Sequence, residues 1–261
     1  MTIEGQRLPG LFVSQDTRTW RDVASPGLRD DVKVMMSEPD TWIEDWLSAP
    51  RFAVYLVDAA SDRGLALARY QWNADVAAAF HHDLGHLEVG LRNAYDRALS
   101  YRDRSEDQHW VYDPSRHFPV QRRQGRGGST YDANATTRRK IAEAISAASD
   151  AAGSQHPAPG KVIAELNLGF WRYLTVRRLD QLWRTHLYRA FPRGTRRGDI
   201  GDLVDGLHSL RNRVAHHEPL LRIRLADRHA DILTLAGLLS VPLRDHIANH
   251  TAVSELLATR P

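Results

Sequence analysis

The segment from Leu210 to Pro219 carries the side chains in this chain that are best suited to chemistry: Arg211, Asn212 and His216. An imidazole can take up or release a proton near neutral pH. An arginine offers a planar, permanently charged fork that matches the oxygens of a phosphate. Catalysis at a phosphate group needs both, a proton carrier and positive charge against the anionic transition state.

These three residues are predicted to share one helix, from about residue 199 to 217, which Pro219 would end. Its buried stripe is predicted to be Leu203, Leu207, Leu210 and Val214. At about 100° per residue, Asn212 and His216 lie on one face, whereas Arg211 and His216 are about 140° apart. Asn212 can therefore orient the imidazole or a phosphate. Arg211 must reach around the helix or serve a site shared with another chain.

One histidine supplies only half of an acid–base pair. A two-fold dimer could juxtapose two copies of His216, or His217 or His208 could provide the second imidazole within one chain. A purely structural interpretation is also open. A histidine at a helix C-terminus interacts favourably with the helix dipole, and Arg211 could make a surface ion pair.

Two further patterns lie on a predicted long helix. Glu88 and Arg92 are four residues apart in the favourable order, which predicts an ion pair. His82 and His86 have the same spacing, which can bind zinc. Asp83, however, stands where a metalloprotease would have glutamate, and no third ligand is marked. We therefore expect neither a metal nor another cofactor. No G-x-S-x-G motif supports serine hydrolysis.

The basic residues are strongly biased towards arginine, because all but three of the 35 are arginine. Arginine suits phosphate recognition, so a nucleic-acid or nucleotide partner is favoured more than the net charge of +3 suggests. The codon usage of a GC-rich genome would give the same bias.

Residues 116–140 carry seven basic side chains against a single acid, Asp132. Gly125, Gly127 and Gly128 interrupt any helix there, which predicts a mobile basic loop over about 113–136. A solvated insertion without a ligand would have the same composition. A second basic turn follows Pro192. The candidate phosphate-binding arginines are Arg122, Arg123, Arg126, Arg196 and Arg197.

Composition excludes several classes of protein. Hydrophobic residues at 42% and charged residues at 26% are globular values, not those of a disordered or fibrous chain. The absence of cysteine excludes disulfide scaffolds, thiolate zinc fingers and cysteine nucleophiles. The longest apolar run, Phe52 to Val57, is far too short to span a bilayer, and no secretory signal is evident. We expect a cytoplasmic protein without a membrane partner.

Helical spacing of apolar residues runs through nearly the whole chain after residue 36. It predicts a long core helix over about 73–101, in which Gly85 and Gly90 permit close helix contact. It also predicts an apolar helical stretch from Val162 to Phe191, and helices over about 227–239 and 242–258. With no alternating strand pattern, the chain is predicted to be all-α, with an irregular arm over 1–36 and one helical domain over 37–258.

Five segments resemble the Abi-like (abortive infection) branch of the HEPN superfamily of ribonucleases and their relatives, in that family's order. Arg211-Asn212, followed by three residues and His216, matches the superfamily's R-x4-6-H motif. The resemblance covers about residues 40–240. The five segments are Leu47-Ser48-Ala49-Pro50-Arg51, Tyr70-Gln71-Trp72-Asn73, Leu87-Glu88-Val89-Gly90-Leu91-Arg92-Asn93, Leu168-Gly169-Phe170-Trp171 and Arg211 to Pro219.

The resemblance implies a HEPN-type helical bundle with additional helices and a homodimer with paired motifs at its interface. It implies a metal-independent endoribonuclease of bacterial anti-phage defence or of toxin–antitoxin type, restrained by a protein or small-RNA antitoxin. Arg211, Asn212 and His216 would be catalytic. Glu88, Arg92 and Asn93 would support the cleft, alongside His208 and His217. The alternative is a non-catalytic RNA-binding or regulatory protein on the same fold.

Overall fold

The computed structural model describes residues 41–261, apart from the side chains of Asp107 and Arg126. The predicted irregular arm over 1–36 lies outside these residues. The chain divides into two compact units between Phe52 and Ala53, inside the second described helix. The described part of the first unit holds one helix and the start of the next, and the second unit holds everything after Phe52.

Helices dominate the described residues, 71% of which are helical and 3% in strands, so the predicted all-α class is confirmed. None of the described helices is long and apolar enough to cross a membrane. The helices are α1 (Thr41–Leu47), α2 (Ala49–Asp58), α3 (Arg63–Leu99), α4 (Ala135–Ala152), α5 (Pro159–Glu165), α6 (Leu168–Tyr173), α7 (Asp180–Thr185), α8 (Arg197–Ala215), α9 (Leu225–Leu239), α10 (Val241–His250) and α11 (Val253–Ala258). The strands are β1 (Arg122–Gln124) and β2 (Thr130–Asp132).

The long helix α3 is the core of the second unit. It begins at Arg63, ten residues earlier than predicted, because Asp62 caps it by accepting a hydrogen bond from the Leu65 amide at 2.9 Å. Its buried stripe packs against α8 and α9. The members of this stripe with no exposed surface include Val76, Phe80, Leu91 and Tyr95.

The structure contains one of the two close helix contacts that were predicted on α3, the one at Gly90. A Cβ at Gly90 would come within 2.4 Å of Leu243 Cδ2 on α10, so a larger residue there would require the Leu243 side chain to move. The prediction for Gly85 is wrong, since a Cβ at that position would meet nothing within 4 Å.

Two stretches predicted as continuous helices are broken by polar side chains. The apolar stretch from 162 to 191 divides into α5, α6, α7 and single turns of 3-10 helix. Asn167 starts α6 afresh by accepting the Phe170 amide at 3.2 Å. The predicted helix over 242–258 divides at Thr251, whose hydroxyl donates to buried Asp83 Oδ2 at 2.6 Å and accepts the Val253 amide at 3.1 Å.

Within the basic segment that was predicted as a mobile loop, six residues form two short strands. β1 and β2 pair as an antiparallel hairpin in which Arg122 lies opposite Asp132. Asp132 anchors its base by accepting the amides of Gln121 and Asn134, and by pairing with Arg138. These partners lower the pKa of Asp132 to about 2, the Gln121 amide contributing most. Strands of only three residues each, Arg122–Gln124 and Thr130–Asp132, carry no hydrophobic alternation by which they could be recognised.

His117 lies in a largely buried position, and its Nε2 is 3.1 Å from the Leu99 carbonyl oxygen. Its ring is 4.5 Å from that of His186. Burial and the neighbouring His186 and Arg116 lower the pKa of His117 to about 4. The unfolded chain therefore binds a proton at this residue between about pH 6.5 and pH 4 that the folded chain does not.

We predict that the free energy of unfolding falls as the pH drops from 7 to 4, with about 3 kcal/mol of the loss due to His117. Urea unfolding of the His117→Gln variant over this range measures that share, because glutamine can still donate to Leu99 but does not titrate. His81→Gln, at an exposed position on α3, is the control. Equal pH dependence of the His117 variant and the wild type would contradict the prediction.

Candidate functional site

The end of α8 forms a Schellman motif that fixes the backbone around His216. The amide of His217 donates to the Val214 carbonyl at 3.1 Å, and the amide of Glu218 donates to the Arg213 carbonyl at 2.8 Å. His217 occupies the left-handed position of this motif, with φ of 53°. Glycine is usual there, because a Cβ is strained in that conformation. The helix thus ends two residues earlier than predicted, and His216 is its C-cap.

The segment after the motif is held by α3. The Leu220 amide donates to Asn73 Oδ1 at 2.7 Å, and both residues are buried. Arg213 and Glu218 make an ion pair of 3.2 Å across the helix end. Asn73 therefore links the position of the motif to the core helix.

The motif residues differ in exposure. Val214 is buried, Arg211 and Asn212 are half-buried, and His216 is exposed. A surface ion pair was one structural interpretation of Arg211, and this ion pair does not form within residues 41–261. Among the residues that the structure describes, none places a carboxylate within 4 Å of its guanidinium, which leaves that group available to an anion.

His208 lies one helical turn before Arg211 on α8. Its ring rests against the start of α6, where a Cβ at Gly169 would approach Nε2 within 3.2 Å. Burial lowers its pKa, and the positive charges of Arg172, Arg211 and Lys140 lower it further, against the opposing effect of Asp205. This imidazole is therefore neutral at pH 7 and can accept a proton.

Sequence reasoning missed Arg172 and Lys140. Arg172 Nε is held by Asp205 Oδ1 at 2.6 Å, which ties α6 to α8 near His208. Lys140, on α4, also lines a groove of about 260 Å³ with Asn167 and Phe170. Arg172 directly follows the Leu168–Trp171 segment, but only the tertiary fold brings it to His208.

His208 and His216 lie at different levels along α8. His216 comes eight positions after His208, which corresponds to about 12 Å along the axis. The acid and the base of one phosphodiester must both lie within hydrogen-bond reach of the reacting atoms. The backbone positions of His208 and His216 within one α8 do not by themselves bring the two imidazoles to one phosphate.

The α3 candidates are not joined to this cluster. Glu88 and Arg92 make no ion pair, so that prediction is wrong, and Arg92 Nε is buried without a hydrogen-bond partner among the described residues. No hydrogen bond or ion pair within residues 41–261 links the side chains of Glu88, Arg92 or Asn93 to Arg211 or His216.

The predicted phosphate-binding arginines divide into two groups. Arg122 and Arg123 are exposed on the hairpin, and the side chain of Arg126 lies outside the described part. Arg196 pairs with Asp199 at 3.2 Å. Arg197 pairs with Asp180 at 3.2 Å and donates to the Thr175 carbonyl at 2.6 Å, so it is a structural tie rather than an open phosphate contact.

The histidine pair on α3 makes its own contact. His82 Nε2 and His86 Nε2 are 3.4 Å apart, and the buried Asp83 is engaged with Thr251. Across residues 41–261, no group of three or more His, Cys, Asp or Glu is arranged to hold a metal ion.

Comparisons with protein-family models, curated proteins and solved structures give no match for this chain.

We predict that His217→Gly is more stable than His217→Ala by about 1 kcal/mol, because both remove the imidazole but only alanine keeps a Cβ in the left-handed conformation. Thermal unfolding of the two variants measures the difference. At His216, where φ is −96°, the order should reverse, so that alanine is the more stable residue. A less stable glycine variant at position 217 would contradict the prediction.

Proposed function

We propose that this chain is an Abi-like protein of the HEPN superfamily and a metal-independent endoribonuclease. The observation that carries the proposal is the polar face of α8. Along this helix, the half-buried Arg211, with no described carboxylate in ion-pair range, lies in sequence between His208, whose pKa burial lowers, and the exposed His216. Proton carriers and a positive charge are the groups that cleavage of a phosphodiester requires.

In the proposed reaction, the 2′-hydroxyl of RNA attacks the adjacent phosphorus. A histidine takes the hydroxyl proton, the new O2′–P bond forms, and the P–O5′ bond breaks. The leaving 5′ oxygen takes a proton from a second histidine, which yields a 2′,3′-cyclic phosphate and a 5′-hydroxyl. Arg211 stabilises the charge that builds on the phosphoryl oxygens, and Asn212 orients His216 or the phosphate.

We propose a homodimer because one chain separates its two α8 histidines by about 12 Å along the helix. A two-fold axis near the C-terminus of α8 would juxtapose the His216 residues of two copies. A cleft of about 530 Å³ lies beside that terminus, lined by Val54, Val57, Pro219 and Ile223 among others. Val57 is 72% exposed, so a second copy would find apolar surface next to the motif.

In this proposal the enzyme acts in the bacterial cytoplasm, in abortive infection or as the toxin of a toxin–antitoxin pair. Cleavage of cellular RNA would arrest growth or translation. An antitoxin, either a protein or a small RNA, would restrain it.

We predict that purified protein cleaves single-stranded RNA in the presence of EDTA, leaves 2′,3′-cyclic phosphate and 5′-hydroxyl ends, and spares DNA. His216→Ala and Arg211→Ala should each lower the rate at least a hundredfold. General acid–base catalysis contributes about 10²–10⁴-fold, and loss of one group that stabilises transition-state charge costs about 10²–10³-fold. Product ends are read by mass spectrometry and rates from gels of labelled RNA.

His81→Ala and Arg224→Ala serve as controls, since both are exposed and neither belongs to the α8 cluster. Circular dichroism is used to check that each variant keeps its helices. Full activity of His216→Ala, or 5′-phosphate products that require magnesium, would refute the mechanism. Binding of RNA without any cleavage would favour the non-catalytic alternative.

The composite site gives a separate prediction. Two inactive chains, Arg211→Ala and His216→Ala, should recover part of the wild-type rate when mixed if each site takes Arg211 from one chain and His216 from the other, because the heterodimer then keeps one intact site. A site that needs the His216 imidazoles of both chains would stay inactive. Mixing is followed by cleavage assay, and the oligomeric state by light scattering. A monomer that cleaves at every concentration would rule out the shared site and would leave His208 or His217 as the second imidazole.

A further inference from the structure

A second cleft lies at the other end of α8, where the chain from Tyr188 to Thr195 faces the C-terminal end of α3. Its volume is about 640 Å³. The residues that line it include Arg97, Tyr101, Tyr188, Arg189 and Arg193. None of the described residues that line it is acidic, and three are arginines.

The charge of these arginines is largely uncompensated. Arg97 and Arg193 are exposed, and no carboxylate of the described chain lies within 4 Å of either. The half-buried Arg189 donates to the Thr185 carbonyl, which fixes the guanidinium without neutralising it. Many other arginines of the second unit are paired with carboxylates, as Arg69, Arg138 and Arg172 are. A cleft that gathers three arginines and no acidic residue is therefore a candidate site for an anionic ligand.

Aromatic rings stand beside this charge. Tyr101 is 64% exposed and Tyr188 is 44% exposed. The Arg189 guanidinium carbon lies 4.5 Å from the Tyr101 ring centroid and 4.6 Å from that of Tyr188. The cation therefore positions both rings, which remain exposed to solvent. Exposed aromatic faces next to arginines are how proteins bind unpaired bases and their phosphates.

The cleft is well separated from the polar face of α8. It borders the start of that helix, and His216 lies at its end, about 28 Å away along the axis. At about 3.4 Å per stacked nucleotide, that distance corresponds to about eight nucleotides. A trinucleotide can thus occupy the cleft alone, while a longer strand can also reach the end of α8.

We propose that this cleft binds an unpaired nucleotide of single-stranded RNA, with the base stacked on Tyr101 or Tyr188 and phosphates held by Arg97 and Arg193. The choice of RNA as the polymer rests on the proposed function. The site itself rests on the rings and the unpaired arginines. Within the basic turn, the proposal assigns phosphate binding to Arg193. Arg196 and Arg197, which the sequence also suggested, are paired with aspartates.

The test uses a fluorescein-labelled decauridylate with 2′-O-methyl groups, which cannot be cleaved by 2′-hydroxyl attack, and reads binding by fluorescence anisotropy. Tyr101→Ala and Tyr188→Ala should each weaken binding about tenfold, and Tyr101→Phe should leave it within about twofold. The Arg97→Ala/Arg193→Ala double variant should make the slope of log affinity against log salt shallower by about 1 to 2. Arg224→Ala, an exposed arginine elsewhere, should change neither.

Competition identifies what the cleft recognises. Uridine monophosphate should displace labelled trinucleotide better than inorganic phosphate does, and duplex RNA should compete poorly, because its bases are not free to stack. Unchanged affinity in the tyrosine and arginine variants, or equal competition by phosphate, would overturn the proposal, as would strong competition by duplex RNA.

The outcome separates this inference from the nuclease. If the wild type cleaves RNA but its affinity does not change in the cleft variants, the proposed nucleotide site is refuted and the proposed nuclease is supported. If binding depends on the cleft but ordinary RNA is not cleaved, the nucleotide site is supported and the nuclease is refuted.

Discussion

The hydrogen bond from the Leu220 amide to the buried side chain of Asn73 is the interaction on which the candidate site most depends. Immediately after α8, the chain must turn and still satisfy its amides, since an unsatisfied buried donor costs about 1–3 kcal/mol. Asn73 meets that need from the core helix. The Schellman motif then leaves His216 at the surface while Leu220 is buried. The position of the imidazole is thus set by a side chain far away in sequence.

The pairing of arginines explains why their abundance alone was a poor guide to ligand binding. Aspartates take up many of them, as in the pairs Arg69–Asp58, Arg138–Asp132, Arg172–Asp205 and Arg197–Asp180. Exposed pairs of this kind contribute little stability, but they decide which cations stay open to a ligand. Arg97, Arg193 and Arg211 have no described carboxylate within ion-pair distance. Because ion pairing accounts for many of the arginines, their number alone does not identify an anion site.

The helical core and the end of α8 could be predicted from sequence, because apolar spacing and Pro219 act locally. The break at Thr251 could not, since it depends on the hydroxyl reaching Asp83 on another helix. The hairpin of the basic segment has no hydrophobic alternation, and it depends on Asp132 and Arg138 at its base. The environment of His208 likewise requires α4, α6 and α8 to meet. The ion pair expected of Glu88 and Arg92 failed because spacing on a helix brings side chains within reach without deciding their rotamers.

The length of α3 has a mechanical consequence. Asn73, which holds the end of the motif, and Arg97, which lines the second cleft, belong to the same uninterrupted helix of 37 residues. About 36 Å separates them along its axis. A continuous hydrogen-bonded helix is far stiffer lengthwise than the loops that flank it. The same helix therefore holds both the end of the motif and the second cleft. The distance between these two surfaces is set by the number of residues from Asn73 to Arg97 rather than by the conformation of any connecting loop.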